Sequence, residues 1–219
     1  MSKFVALWLR AKVINRWPLQ GALKPTNVAE HSFECSVIGF MLGAIELTVF
    51  KNNNISPEKV CTLCTLHEAS EVSGVADISK PVKYHDNKTY QAIKKVEDFY
   101  EDKLLNSLDI FPTEMRELIN PFIKQDKSEP HAILAKHADH IHALYESEKE
   151  VRLGNFEFND AYNAQVGIIE KLCSQSRACN YFMTHFYPAF HHSIDKLTND
   201  ALEQKTINIK SFETNRTKA

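Results

Sequence analysis

Apolar residues recur along most of the chain at intervals of three and four positions, which is the spacing of an amphipathic helix. Two starts carry capping signals: Asn27 has Glu30 three residues later, and Ser56 is followed by Pro57. The pattern predicts helices over 4–14, 27–50, 56–74, 90–108, 113–124, 128–153 and 159–186. Residues 77–87 read as a polar, ordered loop. We therefore predict one all-α domain over residues 1–195 and a polar C-terminal tail over 196–219.

Composition agrees with this pattern and excludes some functions. Six glycines and eight prolines in 219 residues argue against a sheet-and-turn architecture or a glycine-rich nucleotide loop. A net charge of -2 gives no basic surface for nucleic acid or for an anionic membrane. The longest apolar candidate for a membrane span, 36–50, is interrupted by Glu46, and the N-terminus lacks a signal-peptide cleavage site. Five cysteines, an odd number, fit a reducing compartment, so we predict a cytoplasmic protein.

Histidine is abundant, with ten in the chain, and most of these residues stand in plain settings. Structural or surface roles are expected for His85, His131, His185, His191 and His192. Three more histidines share one predicted helix with Asp139, namely His137, His140 and His142. Their spacing could serve a metal, but a solvated helix face is the expectation for most of them.

Cys61 and Cys64, followed by His67, have the spacing of half a zinc site. No second ligand pair with the usual tight spacing accompanies them, since Cys173 and Cys179 lack a histidine partner. Both Cys61 and Cys64 occupy apolar helical positions. We therefore predict that they are core residues.

His67, Glu68 and Glu71 form a polar group on an otherwise apolar predicted helix. Adjacent residues lie about 100° apart on a helix, so all three project from one patch of its surface. Such a patch is costly to bury unless it faces water or binds a cation. The helix alone leaves a solvated stripe and a functional site equally open, and the same ambiguity holds for Glu30 and His31.

Several motifs, in order, resolve this ambiguity by resemblance. They read VINRWPL (13–19), NVAEHS (27–32), LHEASEV (66–72), DISKPVKY (77–84), AKHADHIHALY (135–145) and PAFHHSID (188–195). In their order and approximate spacing they resemble the bacterial 5'-deoxynucleotidases and the related phage dATP phosphohydrolases. Both belong to the HD-domain metal-dependent phosphohydrolases, which are all-helical enzymes. The resemblance covers roughly residues 4–195.

The resemblance implies a role for nine residues of this chain. It implies metal ligation by His31, His67, Glu68 and Asp139, catalytic roles for Glu71 and Asp77, and substrate binding by Arg16, Trp17 and Lys83. A cofactor that binds imidazole and carboxylate together is expected to be a divalent transition metal such as Co, Mn, Zn, Fe or Ni. The implied fold is a single HD-domain helical fold.

Glu68 departs from the family pattern, which has aspartate at this position. Its extra methylene displaces the carboxylate oxygen by about one carbon–carbon bond unless the rotamer or the backbone compensates. Three interpretations are open. Glu68 is a functional metal ligand, or it alters the affinity or identity of the metal, or the site has lost catalytic activity. We favour the first because Glu71, Arg16, Trp17 and Asp77 are present. One extra residue between Glu71 and Asp77 is a smaller departure.

The expected reaction is hydrolysis of the 5'-phosphate ester of a deoxynucleoside monophosphate, a small-molecule substrate. One alternative is a phage-type triphosphohydrolase that releases triphosphate, which would need Lys80 or Lys83 to point into the pocket. An alternative of another class is a catalytically impaired nucleotide-binding protein. We expect a homo-oligomer, a dimer or larger, and a location in a bacterial or phage-infected cell. The aromatic stretch 181–190 is equally consistent with an oligomer interface and with core packing.

Overall fold

The structure, a computed structural model, describes residues 1–199 of the chain, and helices dominate this part. The α-helices are α1 (Phe4–Trp8), α2 (Val28–Ala44), α3 (Pro57–Thr65), α4 (Lys80–Lys83), α5 (Asn87–Asn106), α6 (Thr113–Ile123), α7 (Pro130–Arg152), α8 (Asn159–Gln175), α9 (Arg177–His185) and α10 (Ile194–Thr198). Within residues 1–199 the sole strand-like pairing is a bridge between Asn15 and Asn27. The predicted all-α class is confirmed.

The predicted helix starts at Asn27 and Ser56 are also confirmed. The Asn27 side chain accepts a hydrogen bond from the Glu30 backbone N–H, while the Glu30 carboxylate accepts one from the Asn27 N–H, which completes a capping box. The Ser56 hydroxyl accepts from the Lys59 N–H, and Pro57 occupies the first helical position. Because these bonds satisfy N–H groups that the helix itself leaves free, they fix where α2 and α3 begin.

The predicted helix 56–74 is interrupted at residues 66–68. Helix α3 ends at Thr65, and Leu66 leaves the helical conformation with φ of -110°. A turn follows at residues 66–68, and a π-helical segment, Glu71–Val75, comes after it. Gly74 has φ of 138°, and a Cβ there would lie 2.8 Å from the Tyr100 ring, so only glycine suits the position.

The structure differs from the predicted elements at three further places. The predicted helix 159–186 is interrupted at Ser176, which is extended and caps α9 by accepting from the Cys179 N–H. The predicted loop 77–87 contains the short helix α4. Residues 196–198 of the predicted tail belong to α10, and residues 200–219 lie outside the described part of the chain.

Helix α2 is central and packs along both α3 and α7, while α8 packs on α7 and α9 packs on α8. Two glycines allow α2 and α3 to approach closely. A Cβ on Gly39 would lie 2.4 Å from the Cys64 sulfur, and a Cβ on Gly43 would lie 2.7 Å from the Pro57 Cα. Cys64 is buried in this core as predicted, and Cys61 is half-buried.

Helix α2 and the π-helical turn Ile45–Val49 that follows it form a 22-residue stretch that contains an 18-residue window with a mean hydropathy of 1.5. Contrary to the prediction, Val28–Val49 is therefore long and apolar enough to cross a membrane. Half of it is buried inside the fold, and a core helix of a soluble protein meets the same criterion. Its apolar character is accounted for by its packing against α3 and α7.

Candidate active site

Three helical segments bring the four predicted metal ligands together. His31 lies in the first turns of α2, His67 and Glu68 lie in the turn after α3, and Asp139 lies in the middle of α7. The Nε2 atoms of His31 and His67 are 3.0 Å apart. Glu68 Oε1 is 3.4 Å from His31 Nε2 and 3.1 Å from His67 Nε2. Asp139 Oδ1 is 3.4 and 4.0 Å from the same two nitrogens.

These separations suit a divalent metal ion. Ligand bonds of roughly 2.0–2.2 Å in tetrahedral or octahedral geometry place neighbouring ligand atoms roughly 2.9–3.5 Å apart. Four of the five separations given above fall in that range, and the fifth is slightly longer. Two imidazoles and two carboxylates are donors that Zn, Mn, Fe, Co and Ni accept. The break in the helix after Thr65 turns His67 and Glu68 towards His31.

The two carboxylates among these residues are held ionised. Burial favours their protonated forms, but it is outweighed. His67 and His31 lower the pKa of Glu68 well below its ordinary value. Lys136 and His31 do the same for Asp139, whose second oxygen lies 2.5 Å from Lys136 Nζ. Both side chains are therefore in the form that binds a cation.

Glu71 and Asp77 have pKa shifts in the opposite direction. Burial, together with the negative charges of Glu68 and Asp77, raises the pKa of Glu71 well above its ordinary value. Glu71 Oε2 is buried and has no hydrogen-bond partner among residues 1–199. Burial and Glu68 also raise the pKa of Asp77, against the effect of Arg16. Carboxyl groups with opposite shifts at one site commonly divide into proton donors and charged stabilisers.

Arg16 and Trp17 lie beside the predicted metal ligands, in the segment between α1 and α2. Arg16 Nη1 donates to Glu68 Oε1 at 3.3 Å, and Arg16 Nε donates to Glu146 Oε2 at 3.1 Å. The Trp17 indole N–H donates to the same Glu146 oxygen at 3.1 Å. Trp17 has φ of 56°, which is strained for a bulky residue, and its backbone N–H donates to Asp77 Oδ2.

Three lysines lie around this group, in different settings. Lys83 Nζ donates to Glu97 of α5 at 2.6 Å, so the structure pairs this predicted substrate-binding residue with another helix. Lys80 Nζ lies 5.6 Å from the centre of the Trp17 ring, a cation–π contact that faces the site. Lys136 binds the Asp139 carboxylate, as described above, and was missed from the sequence.

The sequence analysis also missed His142 and Glu146, which are buried on α7. The expected solvated face is wrong for His142, whose side chain is 1% exposed. His142 Nδ1 lies 2.8 Å from His31 Nδ1, and Glu146 binds Arg16 and Trp17. His142 and Glu146 follow Asp139 by three and seven residues, so the three side chains share one helix face. That spacing is the sequence feature from which their place in the site could have been predicted. Cys35 also contacts the His31 ring, but burial raises its pKa and keeps it a thiol.

An all-helical core in which two histidines and two acidic residues come together is the arrangement expected of an HD-domain phosphohydrolase. Two solved structures share the fold. An HD-domain phosphohydrolase from Listeria innocua matches with a TM-score of 0.71 at 22% identity, over 95% of this chain and 97% of that chain. The cyanophage S-2L HD phosphohydrolase DatZ, bound to dA and one catalytic Zn²⁺ ion, matches with a TM-score of 0.56 at 17% identity, over 84% and 95%.

The family within this class is shown by sequence. The model of the YfbR-like 5'-deoxynucleotidase family matches residues 3–190. The 5'-deoxynucleotidase YfbR of Escherichia coli is 34% identical over 201 residues, which cover 91% of this chain and 98% of that protein. The chain belongs to the YfbR-like 5'-deoxynucleotidase family, and the predicted family resemblance is confirmed.

Proposed function

We propose that the protein hydrolyses the 5'-phosphate ester of deoxynucleoside monophosphates, releasing the deoxynucleoside and orthophosphate. Family membership supports the reaction class. One structural observation carries the assignment to this site. Glu68 contacts the two histidines and the Arg16 guanidinium, and burial together with the charge of Glu68 raises the pKa of Glu71, so a metal cradle, an anion-binding group and a candidate proton donor belong to one site.

In the proposed reaction, the side chains of the site bind the phosphate, donate a proton or contact the sugar or base. Arg16 presents a planar, permanently charged group that binds phosphate oxygens. Glu71, whose pKa is raised by burial and by its negative neighbours, would donate its proton to the O5' leaving oxygen as the phosphorus–oxygen bond breaks and water adds to phosphorus, and the proton that this water releases would restore Glu71. Trp17 offers an apolar face to the sugar or base. Asp77 holds the Trp17 backbone in its strained conformation.

His31, His67, Glu68 and Asp139 would hold the divalent ion. A bound ion polarises the phosphoryl group and makes water more acidic. Among the expected metals, Zn is favoured by the catalytic Zn²⁺ of the cyanophage neighbour, and Co, Mn, Fe and Ni suit the same donors.

The test uses purified, metal-stripped protein with Co²⁺, Mn²⁺, Zn²⁺ or Mg²⁺ restored in turn. Incubation with dAMP, AMP and dATP, followed by chromatography, is expected to give deoxyadenosine and orthophosphate from dAMP, with AMP spared. The Glu71→Gln protein is the matched negative control. If the protein binds nucleotide but no metal restores turnover, Glu68 has disabled the site and the chain is a nucleotide-binding protein.

A triphosphohydrolase that releases intact triphosphate is the second candidate. It is favoured by Lys80 Nζ above the Trp17 ring and by Lys136 beside Asp139, two cations beyond Arg16 that could hold further phosphates. The ion pair between Lys83 and Glu97 leaves Lys83 less suited to this task. Deoxyadenosine and intact triphosphate from dATP, lost in the Lys80→Ala protein, would establish this reaction.

The assembly state and the cytoplasmic location stay predictions. Phe182 of the proposed interface stretch is buried in the core, and Phe186 and Phe190 are half-buried against it. Three exposed apolar residues of α2 lie on one helix face and are better candidates for contact with a second copy, namely Phe33, Val37 and Phe40. Sedimentation of native protein and of Val37→Glu protein tests whether copies associate there.

A further inference from the structure

Behind the predicted metal ligands lies a polar network, buried at His142 and Glu146 and half-exposed at Glu34, that the proposed reaction does not use directly. It consists of Glu34, His142 and Glu146, and it contacts both the metal ligand His31 and the substrate-binding residue Arg16. The side chains of His142 and Glu146 are only 1% and 6% exposed. Polar groups that are buried this deeply are costly unless they are fully bonded, so their position needs an explanation.

The contact with His31 is a hydrogen bond between two rings. When an ion takes Nε2 of His31, the remaining proton of that ring is on Nδ1, and the closest acceptor is His142 Nδ1 at 2.8 Å. His142 then donates from its Nε2 to the Glu34 carboxylate. This chain of bonds fixes both the tautomer and the plane of the His31 ring.

Glu146 contacts the predicted substrate-binding residues Arg16 and Trp17. One oxygen, Oε2, accepts from Arg16 Nε and from the Trp17 indole N–H, and it lies 3.5 Å from His142 Nδ1. Because Trp17 has a strained backbone, its position depends on such bonds to the surrounding structure. Glu146 therefore fixes the two side chains that would hold the substrate, and it lies against the residue that fixes His31.

We propose that His142 and Glu146 are positioning residues: His142 orients His31 for the metal, and Glu146 orients Arg16 and Trp17 for the deoxynucleotide. Neither touches the reacting atoms. Partners of metal-binding histidines usually change metal affinity by 10- to 100-fold when they are removed. The metal half of this inference takes from the proposed function only that His31 is a ligand, so it can be tested without substrate.

The first experiment measures Co²⁺ affinity of metal-stripped protein by absorbance, in competition with a chelator. The His142→Leu protein is expected to bind Co²⁺ about 10- to 100-fold more weakly than the native protein. The His142→Asn protein, whose amide oxygen can accept from His31 Nδ1, is expected to recover most of the affinity. His137→Gln, on the same helix but outside the network, is the matched control and should bind normally. Circular dichroism confirms folding of each variant.

The second experiment separates KM from kcat at saturating metal. Glu146→Gln keeps the shape of the side chain but removes the charge that holds Arg16, so KM for dAMP is expected to rise while kcat changes little. Native Co²⁺ affinity in folded His142→Leu protein, or native KM in folded Glu146→Gln protein, would overturn the corresponding half of the proposal. Native protein that binds Co²⁺ without hydrolysing any deoxynucleotide would refute the proposed function and leave the His142 result intact.

Discussion

Glu68 and Glu71 are three residues apart, and their environments shift their pKa values in opposite directions. Histidine neighbours lower the pKa of Glu68, whereas burial and negative neighbours raise that of Glu71. The sequence predicted that both residues lie near His67, because local spacing reports proximity. It could not predict the shifts, because these come from Asp77, His31 and burial, which only the folded chain supplies.

The raised pKa of Glu71 leads to a prediction for catalysis. Glu71→Gln keeps the shape of the side chain but removes the transferable proton, so kcat for dAMP should fall by about 10²- to 10⁴-fold. Co²⁺ affinity should be retained, since Glu71 is not a ligand. Steady-state kinetics and Co²⁺ titration check both parts, with the exposed Glu114→Gln as control. Undiminished kcat would show that another group supplies the proton.

The Glu68 position, where the family has aspartate, gives a second prediction. Glu68 Oε1 already lies within 3.4 Å of both histidine nitrogens, so this backbone accommodates the longer side chain. Glu68→Asp retracts the oxygen and should weaken Co²⁺ binding by about 10-fold, the usual scale for a perturbed metal-site residue. Chelator competition measures this loss. Tighter binding by the aspartate protein would mean that Glu68 is a poor ligand in the native chain.

At the scale of elements, the capping signals predicted where α2 and α3 begin, and the end of α3 was not predictable. Leu66 has no sequence feature that stops a helix, and apolar periodicity continues to Val72. The break is imposed by tertiary contacts, since His67 and Glu68 meet His31 from α2 and Asp139 from α7. Local patterns report on residues within a turn or two, and this break depends on residues far along the chain.

The close contact of α2 and α3 leads to a prediction about stability. Gly43→Ala would place a Cβ 2.7 Å from the Pro57 backbone, which cannot move as a side chain can, so the free energy of unfolding should fall by about 1–3 kcal/mol. Gly167→Ala, on α8, meets nothing within 4 Å and should raise it by up to about 1 kcal/mol. Urea unfolding of both proteins measures the difference. Equal values for the two variants would contradict the tight contact.

At the scale of the whole molecule, the all-α class and the meeting of His31, His67 and Asp139 were predictable from motif order. The roles of His142 and Glu146 were not. His142 is one of several histidines on α7, and the sequence does not distinguish a histidine that faces water from one that contacts His31. Its burial is decided by how α2 and α7 pack, and helical spacing on one element does not report that packing.

Acid stability of the whole molecule is expected to depend on Glu146. Burial opposes its charge, but Arg16 and His142 lower its pKa to about 2. Because the folded-state pKa lies below the ordinary value of 4.5, Glu146 stabilises the fold above that pH, and this contribution is lost as pH falls from about 4.5 towards 2. Its size is on the order of 3 kcal/mol. Thermal unfolding from about pH 6 to pH 3 should show a flatter profile for Glu146→Gln than for native protein. Parallel profiles would show that the charge of Glu146 does not contribute to the loss of stability in acid.

The bond between Arg16 and Glu146 joins positions 130 residues apart, and that between His31 and His142 spans 111. A ribosome must therefore release more than half of α7 before Arg16 or His31 finds its partner. Until α7 emerges, an incomplete chain carries three of the four predicted ligands and lacks Asp139. Metal capture thus comes late in biosynthesis, and a chain that ends before α7 is expected to lack the centre even if its earlier helices have formed.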